Sequence, residues 1–436
     1  MKFLFPVLLF LGLLVQTGRA DEYTFKPEEA ERKPYHFGGY LEFRPVLIGV
    51  DKNASLYKAN LFDKNPPNPM MEYNGRFWFD GSIQKGIAGF YVQTSTDYTQ
   101  SDIVTATSKT KAYQTYLSLK PSSSFTIDAG KKTSKWGKGY AWNPAAFVDR
   151  PKDPNDPELP LEGYEIASAD YIKSFSGPLK TFSFTPVILP AHGDINNNDF
   201  GRMDHLNFAA KAYFLLYDTD IDVMFLSGGS KTARYGFDFS RNIGTSLEVH
   251  GEFALIDHFK KTLVDANGNV SQRTYDAVNY VLGLRYLSAL NTTYILEYYY
   301  QGTGYTPRQM YNFLSFVDKG YDAFVLTGDS RALAKAASAV QGTQANYGML
   351  TPETNYLYLR ISQQEPFNIV YFTPALTWIY NLSDRSFSIT PELLYAPITN
   401  LELRLRTSFL VAGQKNSEFG EKQNDWRAEL RVRYYF

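Results

Sequence analysis

The sequence has no cysteine, only five histidines and almost no net charge, with 44 lysines and arginines against 45 aspartates and glutamates. Without cysteine there is no disulfide framework, no thiolate metal site, no lipidated cysteine and no c-type haem attachment. A formal charge of −1 gives the chain no bulk attraction for nucleic acid. The histidines His36, His192, His205, His250 and His258 lack metal-ligand spacing of the HExxH kind. No Ser/His/Asp grouping converges, so an enzyme is not expected, and neither is a bound cofactor or metal. Two polar stretches, "DINNNDFGRMD" and "VDANGNV", place Asp199 and Val270 where an EF-hand loop needs glycine, and read as ordinary turns.

Long hydrophobic runs are also missing. Beyond Val15 no apolar run approaches the roughly 20 residues of a spanning helix. Mean hydropathy is −0.32, yet aromatic residues make up 16% of the chain. The exception is the start, "MKFLFPVLLFLGLLVQTGRA". Lys2, a short apolar run from Phe3 to Val15, and Gly18 and Ala20 ahead of a cleavage point read as a secretory signal peptide over 1–20. The mature chain is then expected to begin near Asp21, with 21–34 a short periplasmic segment. That segment is too short to form the plug of a TonB-dependent transporter.

What is present is alternation. In "RAELRVRYYF", Ala428, Leu430, Val432, Tyr434 and Phe436 alternate with Arg427, Glu429, Arg431 and Arg433. A period of two is that of a β-strand whose faces meet different surroundings. From His36 onward the chain repeats such segments, joined alternately by short turns and long polar loops. The reading gives about 18 strands, or 16 if a hairpin is miscounted, over 35–436. The stretch 227–243 is its least defined part. An even count puts both termini on the short-turn side. The expected fold is all-β: a transmembrane antiparallel barrel. A spanning sheet must close, because an unpaired backbone group in hydrocarbon costs several kcal/mol. The last strand should therefore pair with the first, "GGYLEFRP".

The terminal strand, through Leu430, Val432, Tyr434 and Phe436, resembles the C-terminal assembly signal of Gram-negative outer-membrane barrels. In strand number and lack of a plug the chain is similar to porin-like, substrate-selective or alginate-export-type barrels. The resemblance implies a location in the outer membrane. It also implies contact with its lipid and lipopolysaccharide, handling by the assembly machinery, and passage of a small anionic or saccharide solute.

Chemistry is expected on inward faces. Glu42 and Arg44 share a phase on the first strand, as do Glu402, Arg404 and Arg406, and Arg427, Glu429, Arg431 and Arg433 at the end of the chain. These strands should adjoin and form one wall with more arginine than carboxylate, which Arg285 and Arg360 extend. Such a wall either guides anions or is braced by its own ion pairs. In "DAGKKTSKWGKGYAWNP", Lys131, Lys132, Lys135 and Lys138 stand beside Trp136 and could bind a saccharide or anion. Tyr140 and Trp142 read as a strand rising into an outer aromatic girdle. The Pro/Asp-rich loop that follows could fold inward, turning Asp149, Asp153, Asp156, Glu158 and Glu162 toward the basic wall, or lie solvated on the surface.

The longest loop, about Tyr305 to Asn355, contains two helix signatures. Thr306 and Pro307 open the first, with Gly320 as its stop. Asp329 or Ser330 caps the second, with Gly342 as its stop. The loop either caps the mouth or presents a variable surface. The expected function is passive, anion- or saccharide-selective diffusion or export. The alternative is a filled barrel acting as an adhesin or receptor, or as the sheath of a periplasmic cytochrome conduit.

Overall fold

The computed structural model describes residues 33–341 and 347–436. The signal-peptide reading, most of the 21–34 segment and the Gly342 stop lie outside the described residues. Eighteen strands form one sheet. In chain order they are β1 (Tyr35–Val50), β2 (Met70–Lys85), β3 (Ala88–Ser101), β4 (Thr107–Ser122), β5 (Phe125–Lys132) and β6 (Tyr164–Ser174). Then come β7 (Leu179–Ala191), β8 (His205–Leu216), β9 (Thr219–Leu226), β10 (Arg234–Ile243), β11 (Leu247–Val264) and β12 (Val270–Leu287). The series ends with β13 (Thr292–Gln301), β14 (Asn355–Gln363), β15 (Phe372–Asn381), β16 (Phe387–Ile398), β17 (Leu401–Val411) and β18 (Asn424–Tyr435). Each strand pairs with the next, and β18 returns to β1.

The closing seam runs antiparallel from Tyr40 opposite Tyr435 to Val50 opposite Asn424. Beyond the last strand residue, Phe436 exchanges backbone hydrogen bonds with Gly39 at 3.3 and 3.1 Å, and its ring stacks on Phe77. Among the described residues no sheet edge is left open, as a lipid environment requires. Alternation sorts the side chains: Leu41, Phe43 and Leu47 are exposed on the outer face of β1, while Glu42 and Val46 are buried inside. One end of the barrel has short turns. Tyr217 and Asp218 both adopt positive φ, at 49° and 56°, the backbone of a type I′ hairpin, whose twist suits paired strands.

The long-loop end carries a small helical cap. Helix α1 (Ser55–Leu61) follows β1, and α2 (Pro307–Thr327) and α3 (Arg331–Val340) lie between β13 and β14. Thr306 and Gln309 form a reciprocal capping box that starts α2. The helix does not stop at Gly320 as its sequence suggests. It continues to Gly328, whose φ of 76° ends it. Gly320 is retained inside the helix because α3 crosses there, and a Cβ would lie 2.8 Å from that of Ala332. Phe313, Tyr305 and Tyr347 stack at the centre of the cap, with ring centroids 3.9 and 4.0 Å apart. Lys58 and Ser55 of α1 meet Asp318 of α2 at 2.7 and 3.0 Å. No helix among the described residues is long and apolar enough to cross a membrane, a statement silent about strands.

Candidate functional site

The strand expected to run on to Tyr140 ends at Lys132. Residues 133–163 leave the sheet and fold into the lumen, and their polar contacts reach strands on several sides. Apolar side chains fix the loop first. Trp136, Phe147 and Val148 pack on Tyr164, Val187, Leu189, Met224 and Leu226 of β6, β7 and β9. Ala141 and Trp142 pack on Val281, Tyr299, Tyr356 and Tyr358 of β12 to β14. The girdle reading of Tyr140 and Trp142 is therefore corrected: Trp142 is buried and stacks on Tyr299 at 4.9 Å. The alternation that suggested a strand belongs to an extended loop with apolar contacts inside the barrel.

Carboxylates on β11 and β13 then hold the loop backbone. Glu252 accepts from Gly139 N at 2.5 Å and from Ala145 N at 3.0 Å. Glu297 accepts from Tyr140 N and, at 2.9 Å, from Ala141 N. His250 lies 2.8 Å from the same Glu297 carboxylate. Glu252 and Glu297 are 2% and 0% exposed, so their charge is met by N–H groups rather than by water. Gly137 makes this approach feasible, because a Cβ there would lie 2.6 Å from Glu252 Oε1. Lys138 adds an ion pair with Asp222 of β9 at 3.0 Å.

The opposite wall is the basic one. Antiparallel register sets Glu42 and Glu402 across from Arg433, and sets both Glu429 and Glu392 across from Arg406. Arg433 bonds Glu42 at 2.6 Å, Arg406 bonds Glu392 at 2.6 Å, Arg360 bonds Glu392 at 3.1 Å and Arg431 bonds Glu429 at 2.8 Å. Arg427 pairs with Glu429 at 3.4 Å, and Arg404 lies 3.6 Å from Glu402. Asp156 comes from the loop to meet Arg406 and Arg431, each at 3.1 Å. The wall is thus both arginine-rich and braced. Arg44 Nε, Arg404 Nε and Arg431 Nε are nonetheless buried with no hydrogen-bond acceptor among the described residues. Arg285 stands apart: it is exposed near the short-turn end of β12, opposite Glu248.

Between loop and wall lies a cavity of about 620 Å³ lined by Arg404, Arg431, Arg433, Asp156, Tyr40, Trp78 and Trp136, among others. Arg433 stacks over Tyr40 at 4.3 Å, and Tyr40 stacks on Trp78 at 5.9 Å. Lys135 and Trp136 also line the cavity. The other lysines singled out in the sequence are engaged: Lys131 with Glu162 at 2.6 Å, Lys132 with Asp128, and Lys138 with Asp222. Leu430, Val432, Tyr434 and Phe436 share the phase opposite the arginines, and Leu430 and Phe436 are exposed. Sequence reasoning missed Asp222, Glu252, Glu297 and Glu392. A usable signal existed for two of them. Glu252 faces Asp238 and Val281 in register, and Glu297 faces Gly283 and Tyr358. An inward carboxylate with no cation across the ladder needs donors from elsewhere.

A second acidic group gathers the outer loops. Glu418 accepts from Tyr356 Oη at 2.5 Å and from Asn381 Nδ2 at 2.9 Å, and its own N–H donates to Asp384 at 2.5 Å. Burial, then Asp384 and Glu418, push the Glu353 carboxyl up to about 9. Burial pushes Glu418 up to about 7, against the pull of Lys422.

Closed sheet, short turns, long loops and an inward-folded loop define a porin-like barrel. No protein-family profile matches the chain, and no curated protein matches it. Solved structures do match. OccK11 (OpdR) of Pseudomonas aeruginosa superposes with a TM-score of 0.50 at 12% identity, over 92% of this chain and 96% of that one. OccK3 (OpdO) of the same organism gives 0.51 at 11% identity, over 92% and 95%. OpdQ, again from that organism, gives 0.50 at 11%, over 93% and 99%. These neighbours are outer-membrane porins of the OprD/Occ kind. At such identities, what they share with this chain is the fold.

Proposed function

We propose that the chain is an outer-membrane channel for passive movement of small solutes, selective for anions or acidic saccharides. The observation that carries the reading is the arginine trio Arg404, Arg431 and Arg433, which lines the cavity between loop and wall, with Arg404 and Arg431 each keeping an Nε–H that no acceptor among the described residues meets. A guanidinium that lines the cavity can pair with a passing carboxylate or phosphate oxygen through the N–H groups that face the lumen. The other arginine bonds to Glu42, Glu392 and Glu429 hold the forks in place, so bracing and guiding coexist on one wall. The aromatic surface of Tyr40, Trp78 and Trp136 offers a face on which a sugar ring could slide.

Planar bilayers test this. An open lumen predicts discrete conductance steps and a reversal potential favouring chloride in a potassium chloride gradient. A barrel acting only as receptor, adhesin or cytochrome sheath predicts no steps. The helical cap, with its own aromatic core, is the feature that favours a surface role in addition to transport.

A further inference from the structure

The inward loop is fastened unequally. Toward β11 and β13, four backbone N–H groups meet two buried carboxylates. Toward the basic wall, Asp156 is, among the described residues, the one acid of segment 151–161 that pairs with arginine. It lies 3.1 Å from both Arg406 and Arg431 and 3.8 Å from Arg404. The neighbouring acids are turned elsewhere: Asp153 accepts from Asn155 N at 2.9 Å, and Glu158 accepts from Tyr140 Oη at 2.9 Å. Asp156 N donates to Asp153 O at 3.0 Å and Leu159 N donates to Asp156 O at 3.1 Å, so the tip is a compact pair of turns.

Resting on the channel reading above, we propose that Asp156 is a tethered stand-in for the solute's carboxylate, and that an anionic solute enters by exchanging with it on Arg404, Arg406 and Arg431. One carboxylate replaces another, so the buried arginines never face the costly state of an unmatched charge. A tether holds its group at an effective concentration in the millimolar range. Asp156 therefore competes with weakly bound solutes, lowers their apparent affinity and speeds their release. The clamped side of the loop is the fixed end, and the tip is the part that gives.

The full-length barrel in planar bilayers, with glucuronate as probe and glucose as neutral control, tests the exchange. Asp156→Asn is expected to lower the half-blocking glucuronate concentration by roughly three- to tenfold, and Asp156→Glu to stay within about twofold of wild type. Because the chain has no cysteine, a nitroxide on Asn155→Cys reports the tip alone. It should gain mobility when glucuronate is added, be mobile without it in the Asp156→Asn background, and ignore glucose. An unchanged half-blocking concentration in Asp156→Asn, or a label unmoved by saturating glucuronate, overturns the exchange. Should Asp156→Asn fail to fold, the label on the otherwise wild-type chain still decides. If wild type shows no block and the arginine wall proves irrelevant to ion selectivity, the channel reading falls as well.

Discussion

The two walls of the lumen are built from the same alternation and used in opposite ways. On β11 and β13 the inward carboxylates Glu252 and Glu297 face no cation across the ladder, and both are spent on the backbone of the inward loop. On β16 to β18 and β1, each carboxylate named above faces an arginine in register, yet guanidinium N–H groups remain over. One wall is an anchor, and the other retains unused donors. A charged lumen residue thus does not by itself identify a selectivity element. What distinguishes them is that arginine N–H donors are left on β1, β17 and β18 after the protein's own partners are served, whereas the capacity left on β11 is the His250 ring Nδ1.

Breaking the anchor should have the largest effect. Glu252→Gln/Glu297→Gln removes both charges from four charge-assisted hydrogen bonds, each worth about 1.5–3 kcal/mol. The loop should detach, conductance should rise severalfold, and trypsin should cut at Lys152. Unchanged conductance would mean that apolar packing alone holds the loop. Next in size is Phe313→Ala in the cap, expected to cost about 3–5 kcal/mol of local stability. Hydrogen exchange should then rise over 307–340, while ion selectivity, which the proposal assigns to the arginine wall, should stay as it was.

A smaller effect concerns pH. Glu353 and Glu418 sit at about 9 and about 7, above the roughly 4.3 of an unfolded glutamate. The protonated form therefore favours the folded loops. Their stabilisation is complete below the unfolded value and is lost as pH rises through about 7 and then about 9. Protease sensitivity of 412–423 should climb between pH 6 and 9.5, and Glu353→Gln/Glu418→Gln should flatten that climb. A flat wild-type profile would show that these acids do not control the loops.

The sequence disclosed the barrel because period-two alternation, turn chemistry and the need for closure all act locally or on the chain as a whole. Arg404, Arg406, Arg431 and Arg433 were visible as lumen residues for the same reason, whereas the Pro/Asp-rich loop that carries Asp156 was left open between an inward fold and a solvated surface, because neither placement shows in its local pattern. The start of the loop was hidden. "KWGKGYAW" keeps alternating after Lys132, and nothing nearby marks that Gly137 must admit a carboxylate from β11. That partner lies more than a hundred residues away in the chain, where Glu252 resembles any other inward polar residue. Gly320 misled for a related reason: a glycine can stop a helix or let another helix cross it, and only packing distinguishes the two.

The most direct test is the reversal potential in a salt gradient, wild type against Arg404→Glu/Arg431→Glu. The account predicts chloride preference in the wild type and its loss or inversion in the variant, with the barrel still heat-modifiable on gels. Equal reversal potentials for two open, folded channels would contradict it.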